Sequence, residues 1–184
     1  MTAALLLMPL GTQVAAADNG VYITQVGDAV AASPAGGSAS VVTQAGERNY
    51  GQVDQKSAGQ IGVVAQAGIE NYASLSQSGG VEGNLALVLQ NGVGNQTTLE
   101  QNASTLSNNA TIVQNGAGNV ASLAQNGDQN SALMVQNGDN NLMQVAQNGD
   151  NNNIVWTQTG SNLAQPKVEM VGNQTLSIHQ LGFK

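Results

Sequence analysis

Polar and apolar positions alternate through most of this chain, and the alternation restarts on a fixed beat. Glutamine marks the beat at Gln44, Gln55, Gln66, Gln77, Gln90, Gln101, Gln114, Gln125, Gln136, Gln147, Gln158 and Gln180, and Glu169 fills the one remaining slot. Ten of the twelve steps are 11 residues and two are 13. Six residues before the beat stands asparagine, at Asn49, Asn71, Asn84, Asn95, Asn108, Asn119, Asn130, Asn141 and Asn152. Four before it is mostly a small residue: Gly51, Gly62, Ala73, Ala86, Thr97, Ala110, Ala121 and Ala132. Two before it is apolar: Val53, Val64, Leu75, Val88, Leu99, Ile112, Leu123, Met134, Val145, Trp156 and Ile178. Alternate residues of a strand share a face, so Asn, small, apolar and Gln point the same way. The period of two predicts strands rather than helices.

Turns separate the strands. Gly46, Gly68, Gly79, Gly92, Gly116, Gly127, Gly138, Gly149 and Gly160 all follow a beat glutamine by two residues. Glycine tolerates the positive φ of a tight turn, and the Asn and Asp around it favour turns through local side-chain bonds. Six strand residues and five turn residues make one unit of 11. Two units close one coil. The expected fold class is therefore all-β: a two-sheet β-solenoid of stacked strand-turn-strand coils, with about 22 residues per coil and about 4.8 Å between coils. Fixed short repeats of this kind stack as quasi-one-dimensional rods.

An inward amide is costly unless it is paired. In a solenoid the next coil places the same amide directly above. Each side-chain carbonyl can accept from the neighbouring NH2, so the Gln and Asn columns are expected to form ladders along the axis. A slip of one residue would turn the wrong face inward and break every ladder.

The repeat Gln-x-Gly-x-x-Asn followed by x-Ala-x-x-x-Gln resembles the curlin repeat of bacterial curli subunits. Its closest instances run from Gln66 through Gly68, Asn71 and Ala73 to Gln77, and from Gln125 through Gly127, Asn130 and Ala132 to Gln136. The resemblance covers about residues 40–180. It implies a secreted subunit that folds as a β-solenoid and polymerises into extracellular amyloid fibres for adhesion and biofilm matrix. It also implies three partners: the chain itself, another curlin subunit and a curli secretion pore. Some units depart from the pattern. Ser57 and Ala103 replace turn glycines, and residues 78–84 and 102–108 each carry two extra residues. The unit ending at Glu169 contains Pro166 and would point Lys167 inward.

Composition narrows the field. Only 8% of the 184 residues are charged and 3% are aromatic, which alone would suit a disordered prion-like chain. The strict apolar column argues against that. A net charge of −7 disfavours nucleic acid. Cysteine is absent, so there is no disulfide scaffold and no thiolate metal site.

Residues 1–17 carry no charged side chain, an apolar run at Leu5–Leu10 and a small-x-small pattern at Ala15–Ala17. They are expected to form a secretory signal cleaved before Asp18, although the usual basic start is missing. No run reaches membrane-spanning length. Residues 18–38 are expected to be a flexible N-terminal segment, placed where the family has its secretion-directing segment. Within it Asn19, Val21, Ile23 and Gln25 match the inward columns once. The repeat solenoid occupies 39–184.

Chemical sites are hard to build from this chain. His179 is the sole histidine and faces outward, so no catalytic dyad or histidine metal cluster is available. Asp128, Asp139 and Asp150 recur in turns, but the calcium β-roll uses a nine-residue repeat with denser Gly and Asp. Asn95, Asn102, Asn109 and Asn173 begin N-x-S/T sequons, as chance provides in so Asn-rich a chain. Trp156 lies on the inward column and suits core packing. No cofactor is expected.

Three function classes remain. A self-assembling fibre subunit is preferred. In that reading the inward amides carry assembly, and Leu85, Leu87 and Leu89 form an outward lateral face. The alternative is a monomeric secreted β-solenoid binding ice or carbohydrate. An ice binder would present a regular outward array, whereas outward residues here vary from coil to coil. A lone solenoid also needs caps, and the sequence stops four residues after Gln180. An enzyme is not expected, because the acids scatter over turns. Within the fibre class, the acidic balance suits a bulk subunit and the two-sided turn glycines suit a nucleator.

Overall fold

A computed structural model describes residues 19–25 and 37–182. The expected signal at 1–17 and the linker residues 26–36 lie outside the described residues. Fourteen strands and no helix are formed among them. In chain order these are β1 (Gly20–Gln25), β2 (Ala39–Glu47), β3 (Tyr50–Gln55), β4 (Ile61–Ile69), β5 (Tyr72–Gly79), β6 (Leu85–Val93) and β7 (Gln96–Ala103). Then follow β8 (Asn109–Ala117), β9 (Val120–Asn126), β10 (Ser131–Asn137), β11 (Leu142–Asn148), β12 (Asn153–Thr159), β13 (Val168–Val171) and β14 (Thr175–Leu181).

Odd strands form one seven-stranded sheet in the order β1-β3-β5-β7-β9-β11-β13, and even strands form the other from β2 to β14. Every pairing is parallel, because each strand meets the strand one full coil later. The architecture is the two-sheet β-solenoid that the alternation predicts. Beat glutamines pair with beat glutamines in both sheets, as in Gln55↔Gln77 and Gln44↔Gln66. Within the 18–38 segment, β1 joins the odd sheet with Val21 against Gly51 and Ile23 against Val53.

The core lies between the sheets. Val53, Val64, Leu75, Val88, Leu99, Ile112, Leu123, Met134 and Trp156 are buried on the apolar column. The small column lets the opposite sheet approach. A Cβ added to Gly62 would lie 2.8 Å from Leu75 Cδ2, and one added to Gly51 would lie 2.8 Å from Val42 Cγ1. Towards the C-terminal end, buried Met143 and Ile154 take over the small column.

Both 13-residue units fall at the same corner of successive coils, after β5 and after β7. Their extra residues therefore stack on each other, with the Val81 amide donating to Thr105 O at 2.8 Å. The insertion lengthens the corner and leaves both sheets in register.

One unit departs from the expected register. Gln147 pairs with Met170, not Glu169. Leu142 still bridges Ala164, so the slip arises between Ala164 and Val168, around Pro166. The next turn compensates, since the Gln174 amide again meets Asn152 Oδ1 at the regular 22-residue offset. Glu169 and Lys167 are exposed and paired to each other at 2.7 Å. Two expectations are corrected here: Glu169 does not fill a beat slot, and Lys167 does not point inward. Burying a carboxylate and an ammonium without partners costs more than one strand slip, and Met170 is apolar and fits the core.

Candidate functional site: the amide ladders and the ends of the stack

Each beat glutamine from Gln44 to Gln158, except Gln147, donates from Nε2 to Oε1 of the glutamine one coil further towards the C-terminus. In the odd sheet the steps Gln55 to Gln77, Gln77 to Gln101, Gln101 to Gln125 and Gln125 to Gln147 measure 2.8, 2.9, 2.8 and 2.8 Å. In the even sheet the steps from Gln44 through Gln66, Gln90, Gln114 and Gln136 to Gln158 run from 2.7 to 3.0 Å. The second amide proton goes to a backbone carbonyl across the core, as Gln66 to Tyr50 O at 3.0 Å. Gln55, Gln66, Gln77, Gln90, Gln101, Gln114, Gln125, Gln136, Gln147 and Gln158 are all buried. Gln66, Gln77, Gln90, Gln101, Gln114, Gln125, Gln136 and Gln158 each donate to the next glutamine and to a backbone carbonyl and accept from the preceding glutamine, which removes the burial penalty.

The asparagines run the other way. Asn71, Asn95 and Asn119 each donate from the backbone amide to Oδ1 of the asparagine one coil earlier, at 3.1 Å. Asn84 does the same to Gln60 Oε1 at 2.9 Å. Asn108, Asn130, Asn141 and Asn152 continue the two columns. The free amide ends then clamp turns. Asn49, Asn71, Asn95, Asn119, Asn130 and Asn141 donate to the carbonyls of Gly68, Gly92, Gly116, Gly138, Gly149 and Gly160 in the next coil.

The turn glycines serve two needs. Gly46, Gly68, Gly79, Gly92, Gly116, Gly127, Gly138, Gly149 and Gly160 all have positive φ, from 70° to 131°. A Cβ on Gly92 would also collide with the Gly116 carbonyl oxygen. Stacked turns approach so closely that a side chain has no room.

Gln60 was missed on the Asn column, although counting six back from Gln66 finds it. Met170 was hidden because Glu169 sits on the 11-residue beat. An outward stack of Tyr22, Tyr50 and Tyr72 was missed too. Its ring centroids are 5.4 and 5.2 Å apart, and the 22-residue spacing of the last two signals it.

Other candidate residues take simpler places. Trp156 is buried and donates from Nε1 to Gln180 Oε1 at 3.0 Å. His179 is exposed, 3.3 Å from the Ser177 hydroxyl. Asp128, Asp139 and Asp150 accept from turn amides one coil earlier, at Ser104, Ala117 and Asp128. The Thr105 amide bond, helped by Ser104, holds the Asp128 carboxyl below its ordinary value. The side-chain hydrogen bond from Lys167 and its charge do the same for Glu169. Among the described residues, no group of three His, Cys, Asp or Glu could hold a metal ion.

The outer faces differ. In the even sheet Leu85 is exposed, and Leu87 and Leu89 are half-buried beside Val41, Ile61 and Val63. Its outward positions between the Asn and Gln columns carry no Asp, Glu, Lys or Arg. The odd sheet carries Asp54, Glu100 and Glu169 outward. No helix among the described residues is long and apolar enough to cross a membrane.

These features define a class: a parallel β-solenoid whose inward amides bond along its axis. The family model of the curlin associated repeat matches the chain twice, at residues 106–138 and 116–147. The matches support a curlin repeat family, which is structural rather than catalytic, and place its repeats across β8 to β11. No curated protein and no solved structure matches the chain.

Proposed function

We propose that this chain is a structural subunit of extracellular curli-type fibres and assembles by stacking copy on copy. One observation carries the reading. Both sheets are parallel and in register, and among the described residues nothing pairs with the outer edges of β1, β2, β13 or β14. Parallel edges with unpaired N–H and C=O groups are templates for another strand. The best-matched template is another coil of the same sequence, because its columns continue the ladders. The repeat match supports the same reading.

The finer parts of the proposal follow. Residues 1–17 act as a secretory signal and residues 18–38 help direct export through a curli-type pore. The fibres lie at the cell surface, where they serve adhesion and biofilm matrix. A second curlin subunit starts or extends them. Electron microscopy of the purified mature chain tests the core of this. Long unbranched fibres that bind amyloid dyes are expected, growing faster when seeded with preformed fragments. A chain that stays monomeric at high concentration contradicts it and leaves a lone solenoid.

A further inference from the structure

The two ends of the stack are complementary, and the complement lies in one sheet. At the C-terminal end, Gln180 Oε1 accepts from Gln158 Nε2 at 2.7 Å and from Trp156 Nε1 at 3.0 Å. Both donors lie on the inner side, so they fix the amide with its Nε2 turned to the open end. At the N-terminal end, Gln44 Nε2 donates to Gln66 Oε1 at 2.7 Å and to Gly20 O at 3.2 Å. Its Oε1 is therefore turned away from Gln66, towards the N-terminal end of the stack. That oxygen is buried and has no hydrogen-bond partner. A buried orphan acceptor is costly and calls for an explanation.

The odd sheet lacks this match. Its Gln ladder ends on Met170, whose sulfur receives Gln147 Nε2 at 3.9 Å. Its Asn position in the last coil is Leu163, whose backbone amide donates to Asn141 Oδ1. β13 spans only four residues. At its C-terminal end the odd sheet thus offers an incoming coil no amide side chain from these two columns.

Resting on the fibre reading above, we propose that a second copy of this chain docks β2 on β14, with Gln180 Nε2 donating to the orphan Gln44 Oε1. The even sheet is the joint between subunits and the odd sheet follows passively. The fibre is then polar, with every subunit pointing the same way. Continuing the register of β2 on β4 and β12 on β14 places Thr43 of one copy beside His179 of the next, both outward.

The full chain with Thr43→Cys and His179→Cys tests the register, since it has no other cysteine. Both changes lie on the outer face and leave the inward columns intact. Neighbouring parallel strands sit at disulfide distance. Oxidised fibres are expected to give a ladder of covalent dimers, trimers and higher species on non-reducing gels. A second set of variants tests the bond. Gln44→Met should raise the critical concentration for growth about tenfold, the equivalent of one lost hydrogen bond of about 1.4 kcal/mol. Met170→Leu should leave it within about twofold, as expected where no hydrogen bond of the joint is lost. Fibres without cross-links, or Gln44→Met fibres growing as readily as the parent, overturn the joint and leave the fibre reading standing. A parent chain that forms no fibres removes both.

Discussion

Asn95 shows how much one side chain can hold. Its Nδ2 donates to Gly116 O at 2.8 Å and to Asn71 Oδ1 at 3.1 Å, while its Oδ1 accepts from the Asn119 amide. Asn95→Ala leaves a turn carbonyl and a buried backbone N–H without partners. Each orphan costs about 1–3 kcal/mol, so the variant should lose about 3 kcal/mol. Asn109→Ala, at an exposed outward position, should lose less than about 0.5 kcal/mol. Urea denaturation of the monomer measures both. Asp128 makes a related bond at a turn, and that bond depends on pH. Its carboxylate accepts from the Ser104 and Thr105 amides, and its pKa is lowered from the ordinary 3.8. A depressed carboxylate contributes its stability fully above the unfolded pKa and loses it as pH falls through the folded value. Hydrogen-exchange protection of the Thr105 amide should therefore hold above pH 3.8 and fall progressively below it. Asp128→Asn keeps an acceptor and should flatten that profile. Protection that falls equally in both proteins would assign the loss to general unfolding.

At the scale of the element, the turn decides how closely coils stack. Gly92 has φ 125° and a Cβ there meets Gly116 backbone, whereas Gly94 has φ 65° and open space around it. Gly94→Ala should cost about 1 kcal/mol from backbone strain alone. Gly92→Ala should cost more than about 3 kcal/mol, because the coil above must also move. Equal melting temperatures for the two variants would contradict the close approach. Much of this architecture was legible in the sequence, since strand periodicity and ladder columns are properties of spacing. Gln66, Gln77 and Gln90 lie inward because period two puts them there. The direction of the ladders was not legible. It depends on which way each amide turns, and Trp156 and the backbone of Gly20 fix that only in three dimensions. The slip at β13 was hidden for a different reason. Glu169 holds the beat in sequence, but desolvating a carboxylate outweighs one residue of register, so Met170 goes inward. Pro166 was visible as an irregularity, and its spacing did not say which way the strand would shift.

For the whole molecule, the rod has unlike sides. Between its Asn and Gln columns, the even sheet turns outward a face free of charged residues in a chain of net charge −7. Two such faces can meet without like-charge repulsion, and small residues at Ala45, Ala65 and Ala67 leave a shallow depression beside Leu89 and Val113. Leu87→Lys with Leu89→Lys alters only this face, so single fibres should still grow while lateral bundles thin in micrographs. Unchanged bundling with normal growth would rule the face out. The central claim is that copies stack coil on coil along one axis. Helical reconstruction of the fibre by electron cryomicroscopy tests it most directly. Seven strands in each sheet, at about 4.8 Å each, give an axial rise of about 34 Å per subunit with continuous parallel sheets through every joint. A rise of about 4.8 Å per subunit, with each chain flattened into a single layer, would contradict the account.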